Sequence, residues 1–127
     1  MSAAEWISQA GYVRLTSYRK DGTPVATPVW HAVHDGEVFI ISNADAWKVK
    51  RIRRDGRVEL TPCDVRGKVK PGAATAAGTA RLLDEAGTAA ARQYIARKYF
   101  LSRAGNFLTR VLRLKRPPVI GIAVALP

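Results

Sequence analysis

The chain has 127 residues, with 21 Lys and Arg against 10 Asp and Glu, and a single cysteine, Cys63. That length sets the expectation of one domain over residues 1–127 whose core needs neither disulfides nor a structural metal, and a lone thiol excludes an internal disulfide. A net charge of +11 points to an anionic partner, whether nucleic acid, acidic lipid or a phosphorylated small molecule.

Ala3 to Gln9 has the composition of a short helix packing Trp6 and Ile7. Tyr12 to Tyr18 reads as a strand with Val13, Leu15 and Ser17 on one face, and Lys20-Asp21-Gly22-Thr23 as a hairpin turn. Pro24 to Val33 is the second strand. Pro24 and Pro28 cannot donate ladder hydrogen bonds, so they mark an edge or a bulge. His34-Asp35-Gly36 turns the chain into a third strand, Glu37 to Ser42, whose unbroken apolar run predicts burial on both faces. Asn43 or Asp45 is suited to cap a helix over Ala46 to Arg54, with Asp55-Gly56 ending it through a left-handed glycine. Strands follow at Arg57 to Val65 and Ala73 to Leu83, then a helix over Glu85 to Phe100. A further helical stretch covers Asn106 to Leu114, with Phe107, Leu108, Val111 and Leu112 on one stripe that suits a core or an interface between copies. Pro117-Pro118 stops it, and Val119 to Ala125 is a buried strand. The order β-β-β-α-β-β-α-β is dominated by hairpins, which predicts a mainly β fold, a closed or partly split antiparallel barrel with flanking helices.

No basic leader followed by an apolar run opens the chain, and its longest apolar run, Val119 to Leu126, is too short to cross a bilayer. The expected location is the cytoplasm, with no membrane span.

Two features carry chemistry. Lys48 to Arg57 holds six cations and one acid. The ordinary account is a solvated basic face. The functional account is a phosphate site: Ser42 and Asn43 end a strand that leads into this helix, and Lys48 lies about one turn further on. The second feature is Pro24-Val25-Ala26-Thr27-Pro28-Val29-Trp30. It is either an edge strand with a core tryptophan or a strand whose unpaired backbone groups face a planar heterocycle. His31 and His34 suit surface or edge roles, no metal site is expected, and Cys63 suits strand packing. Tyr18, Tyr94 and Tyr99 are possible proton donors, with nothing to select among them. A nucleic-acid interface is disfavoured by the lack of a reading helix or of aromatics interleaved with the cations.

Leu15 to Pro24, Thr27 to Trp30, Ile41 to Lys48, Ile52 to Arg57 and Leu60 to Gly67 together resemble the pyridoxamine-phosphate-oxidase-like split β-barrel family, and within it the branch that uses the deazaflavin coenzyme F420. The resemblance implies that Ser42, Asn43 and Lys48 touch the coenzyme phosphate and that Thr27, Pro28, Val29 and Trp30 lie along the ring. It adds Trp47 and Arg54 as further coenzyme contacts. It also implies a homodimer with coenzyme at the interface and hydride transfer to a small organic substrate, the cofactor supplying the reactive atoms. FMN-using relatives carry an arginine near the position of Thr27, which favours F420 here, with FMN as the alternative. A protein that binds the coenzyme without catalysis is a further reading, distinguished by the absence of hydride transfer to any acceptor.

Overall fold

The two-residue period of the strands sorts their apolar side chains into two layers. The computed structural model describes residues 3–100 and 118–127. Its elements are α1 (Ala3–Gln9), β1 (Tyr12–Tyr18), β2 (Pro24–Val29), β3 (Ala32–His34), β4 (Glu37–Asn43), α2 (Trp47–Arg54), β5 (Arg57–Cys63), β6 (Ala76–Leu82), α3 (Glu85–Phe100) and β7 (Val119–Ala125). The strands make a seven-stranded antiparallel sheet in the order β2-β1-β5-β6-β7-β4-β3.

On β4, Val38 and Ile40 enter one apolar cluster while Phe39 and Ile41 enter a second; on β7, Ile122 and Val124 join the first and Ala123 the second. The first cluster also takes Val13 and Leu15 of β1, Val58 and Leu60 of β5, and Val29 of β2, with Val33 of β3 packed against it. Both edge strands therefore meet one core, and the sheet wraps around it. Ile7 of α1 and Val49 and Ile52 of α2 plug this core. The second cluster seats α3 through Ala91 and Ile95 on the opposite face. This is the mainly β barrel with flanking helices that the sequence predicts.

Several boundaries differ from the sequence reading; the strand expected from Ala73 begins at Ala76. The strand expected over Pro24 to Val33 breaks at Trp30 and His31 into β2 and β3, which pair with different neighbours, β1 and β4. The strand expected to reach Val65 ends at Cys63, where the Asp64 carboxylate accepts hydrogen bonds from the N–H groups of Arg66 and Lys68, both at 2.9 Å. Neither Asn43 nor Asp45 caps α2 by its side chain; Ala46 is the N-cap, and its N–H donates to the Asn43 carbonyl at 3.1 Å. Gly56 does not adopt left-handed φ. Asp55 closes α2 in extended conformation, and among the described residues the positive-φ glycines are Gly22, Gly36, Gly67 and Gly72. What Gly56 supplies is space. A Cβ there would stand 2.7 Å from the Ala80 carbonyl oxygen, in a bridge where Ala80 N–H donates to Gly56 O at 2.7 Å. The helix expected over Asn106 to Leu114, with its apolar stripe, lies outside the described residues.

The break between β2 and β3 has a physical cause in His31. An edge role suits His34, which is exposed and stacks on Tyr94 at 4.1 Å, but His31 is fully buried. Its Nε2–H donates to the Ile7 carbonyl at 2.6 Å and so draws the chain toward α1. Lys98 Nζ donates to the Ala10 carbonyl at 2.9 Å and lies 3.1 Å from the same His31 nitrogen. Burial, and then the Lys98 charge, lower the His31 pKa to about 4 from the ordinary 6.5. Burial lowers Lys98 to about 8.

Two outcomes are expected. Gly56→Ala forces apart a backbone bridge and should cost about 1–3 kcal/mol, read as a lower urea midpoint with an unchanged slope. The folded state rejects a proton on His31 that the unfolded chain accepts, so stability should fall as pH drops from 6.5 toward 4. The full loss should be up to about 3 kcal/mol, and His31→Gln should flatten the dependence of melting temperature on pH across that window; an unaltered slope in the variant would refute the assignment.

Candidate functional site

Helical spacing gives α2 two faces. Val49 and Ile52 point into the barrel and are buried, which turns Trp47, Lys50, Arg51 and Arg54 to the other side. There they meet the β1–β2 hairpin. Alternation along β2 puts Val25, Thr27 and Val29 on one face; Val29 is buried, while Val25 and Thr27 open toward α2. Arg19 and Lys20 come from the hairpin itself. Together these groups line a cavity of about 710 Å³, within the size range of small-molecule sites.

The guanidinium groups are held. Arg51 Nε donates to Ser17 Oγ at 2.7 Å, and Arg54 Nη2 donates to the Tyr18 carbonyl at 2.6 Å. Ser17 is itself buried, so the Arg51 anchor is rigid. Trp47 stands 71% exposed, with Lys50 Nζ 4.4 Å from its ring centroid. Among the described residues, five cations and no carboxylate line the cavity. Partial burial first, and then the like charge of Arg19, lower the Arg51 pKa. An anion placed here would relieve that repulsion. The exposed indole adds a flat apolar wall. Among the described residues no group of three His, Cys, Asp or Glu is placed to hold a metal ion.

The sequence candidates fall in different places. Thr27, Trp47 and Arg54 come together in the cavity. Val29 sits in the barrel core. Pro28 is exposed on the outer face of β2, where the loop at Gly67 comes close to it. Trp30 packs against the second cluster, its ring 6.4 Å from that of Tyr12. Ser42 is buried at the end of β4, where its hydroxyl donates to the Asn43 carbonyl at 3.1 Å; Asn43 is exposed beside it. Lys48 is half-buried on the first turn of α2 and is not among the residues lining the cavity. Sequence reasoning missed Arg19, Lys20, Val25, Lys50 and Arg51. The signal for Lys50 and Arg51 was present: positions 47, 50, 51 and 54 recur at helical spacing. Arg19 and Lys20 carried no local signal, because only the packing of the hairpin on α2 brings them in.

No curated protein matches the chain. Several solved structures do. A conserved hypothetical protein of Mycobacterium tuberculosis superposes with a TM-score of 0.73 at 21% identity, covering 99% of this chain and 81% of that one. An FAD-binding protein of Mesorhizobium loti gives 0.67 at 17% identity over 99% and 88% of the two chains. An F420 reductase gives 0.66 at 16% identity over 100% and 95%. At these identities the likeness is one of fold. The family described as pyridoxamine 5'-phosphate oxidase matches residues 2–116. By that match, and with the wrapped antiparallel sheet that these structures share, the chain belongs to the pyridoxamine 5'-phosphate oxidase family.

Proposed function

We propose that this protein is an oxidoreductase that binds the deazaflavin coenzyme F420 in the cleft between α2 and the β1–β2 hairpin and exchanges a hydride between it and a small organic substrate. The observation that carries this reading is the set of five cations with no acid, set beside an edge strand, in a family of coenzyme-binding barrels. F420 carries a phosphodiester and an acidic glutamyl tail, which suit that field better than a single phosphate does. Thr27 in place of the arginine of FMN-using relatives favours the same choice.

The residues present fit such a group. Arg51 and Arg54 already hold their guanidiniums through Ser17 and Tyr18, so they offer oriented donors to phosphate oxygens. Lys50, Arg19 and Lys20 supply charge around the acidic part. Thr27 on β2 supplies a polar group at the level of the ring; the resemblance extends that contact to Pro28, Val29 and Trp30, of which Pro28 lies on the outer face of β2, Val29 in the core and Trp30 past the end of the strand. The family resemblance assigns Ser42, Asn43 and Lys48 to the phosphate; Ser42 and Asn43 end β4 and Lys48 is on the first turn of α2, outside the lining of the cleft. When bound, the coenzyme supplies the hydride-carrying carbon; the protein binds and orients it and keeps water from it. We read residues 1–127 as one coenzyme-binding domain that works as a homodimer, the coenzyme held between protomers.

Titration with oxidised F420 and with FMN, read by fluorescence, should show F420 binding at least about tenfold tighter, or about 1.4 kcal/mol; equal or reversed affinities would overturn the choice of coenzyme. Arg54→Ala should weaken F420 binding about 10- to 100-fold, the worth of one charge-assisted hydrogen bond. Arg97→Ala, on α3 across the sheet, removes the same charge and should change affinity less than about threefold, because attraction is screened beyond ~10 Å. Equal losses would reduce the cleft to a diffuse field.

A further inference from the structure

A second cavity, of about 530 Å³, lies at the far end of β5. Its wall is apolar: Ala10 and Gly11 from the α1–β1 corner, Pro62 from β5, and Val69, Pro71 and Ala73 from the loop that leads to β6. Cys63 lines it, and Asp64, Lys68 and Lys70 are its charged groups. Asp64 is committed to its own loop, its carboxylate accepting from the N–H groups of Arg66 and Lys68, and these bonds hold it ionised. The lining holds two ammonium groups and one carboxylate, and the charges of Arg14 and Arg66 act on Cys63 and Asp64, so the surroundings of the apolar chamber are net positive. That field beside an apolar wall suits an anion with an apolar body better than it suits a neutral molecule.

Pro28 and Trp30 are not part of the lining, but neighbours of the lining residues reach both. Cys63 pairs with Tyr12 across the β1–β5 ladder, and the Tyr12 ring is 6.4 Å from that of Trp30. On the other side, a Cβ built on Gly67 would lie 3.4 Å from Pro28 Cδ, so the loop that walls the cavity reaches over to β2. We propose that this cavity is the substrate pocket and that its ligand is an apolar carboxylate, with the body against Pro62, Val69 and Pro71 and the carboxylate toward Lys68 and Lys70. The role as substrate pocket rests on the coenzyme lying along β2; the ligand class rests on the cavity alone.

Cys63 is the chain's one cysteine and so reports on the cavity directly. The test is the rate of Cys63 alkylation by iodoacetamide, followed by mass spectrometry at fixed pH without coenzyme, in the presence of octanoate or of octanamide. Octanoate should slow alkylation saturably, by about fivefold at four times its dissociation constant. Octanamide, of the same shape without the charge, should leave the rate unchanged. The double variant Lys68→Glu, Lys70→Glu should lose the octanoate effect while keeping its circular dichroism, since both side chains are exposed. Equal protection by octanoate and octanamide would overturn the anion preference, and absence of protection by either would overturn the site. Alkylation that octanoate does not affect and that accelerates on dilution would assign the cavity to a second copy of the chain instead. No arm contains F420, so loss of the coenzyme reading leaves this readout standing, and a failed protection experiment leaves F420 binding untouched.

Discussion

Val49 and Ile52 fill the open end of the barrel, and their burial fixes the rotation of α2 about its axis. Each such side chain contributes roughly 1.5–3 kcal/mol by leaving water. With that face committed, the geometry of the helix leaves no choice about where Trp47, Lys50, Arg51 and Arg54 point. The same core holds β1 and β2 through Val13, Leu15 and Val29, so the hairpin that carries Arg19 and Lys20 is brought to the helix. The cationic cleft thus follows from apolar packing. Its charges repel one another, and the packing supplies what keeps them together. A cluster of this kind costs stability in the free protein, which is the common condition of a binding site that awaits a charged ligand.

Period-two alternation was readable wherever a strand stayed straight. It placed β1 with the right face, while the unbroken apolar run of β4 announced burial on both sides, and the prolines, which mark an edge or a bulge, fall on a strand that is an edge. The Asp-Gly pairs at Asp21-Gly22 and Asp35-Gly36 gave both hairpin turns, with Gly22 at φ 88° and Asp35 and Gly36 at 50° and 78°. The division of β2 from β3 was not readable. It depends on a hydrogen bond from His31 to Ile7, 24 residues away, and nothing in the β-branched run from Val25 to Val33 marks the break. Gly56 looked like a helix terminator because Asp-Gly after a basic helix has that pattern. Its role comes instead from the close approach of β6, a tertiary fact with no local trace.

The site divides along the same line. Thr27, Trp47 and Arg54, named from the family resemblance, line one cavity because their segments form the strand and the helix that the sequence declares. Ser17 as the anchor of Arg51 was not legible, since the pair joins residues 34 apart. The cavity beside Cys63 was invisible for a further reason: a free cysteine at a strand end reads as packing, and only the path of the loop after Asp64 makes a chamber there. The basic cleft lies at the hairpin end of β1, against α2, and the apolar chamber at the other end of that strand, beside the end of β5 and the loop that follows it.

The central claim is that the α2–hairpin cleft is the coenzyme site, and amide hydrogen exchange with and without saturating F420 tests it most directly. Backbone groups that meet or are ordered by a ligand exchange more slowly, whatever the reaction that follows. The account predicts that the strongest protection falls on the hairpin from Arg19 to Thr27 and on α2 from Trp47 to Arg54, with α3 from Glu85 onward unaffected. Protection centred on α3, or binding of F420 that leaves the hairpin and α2 unchanged, would contradict it.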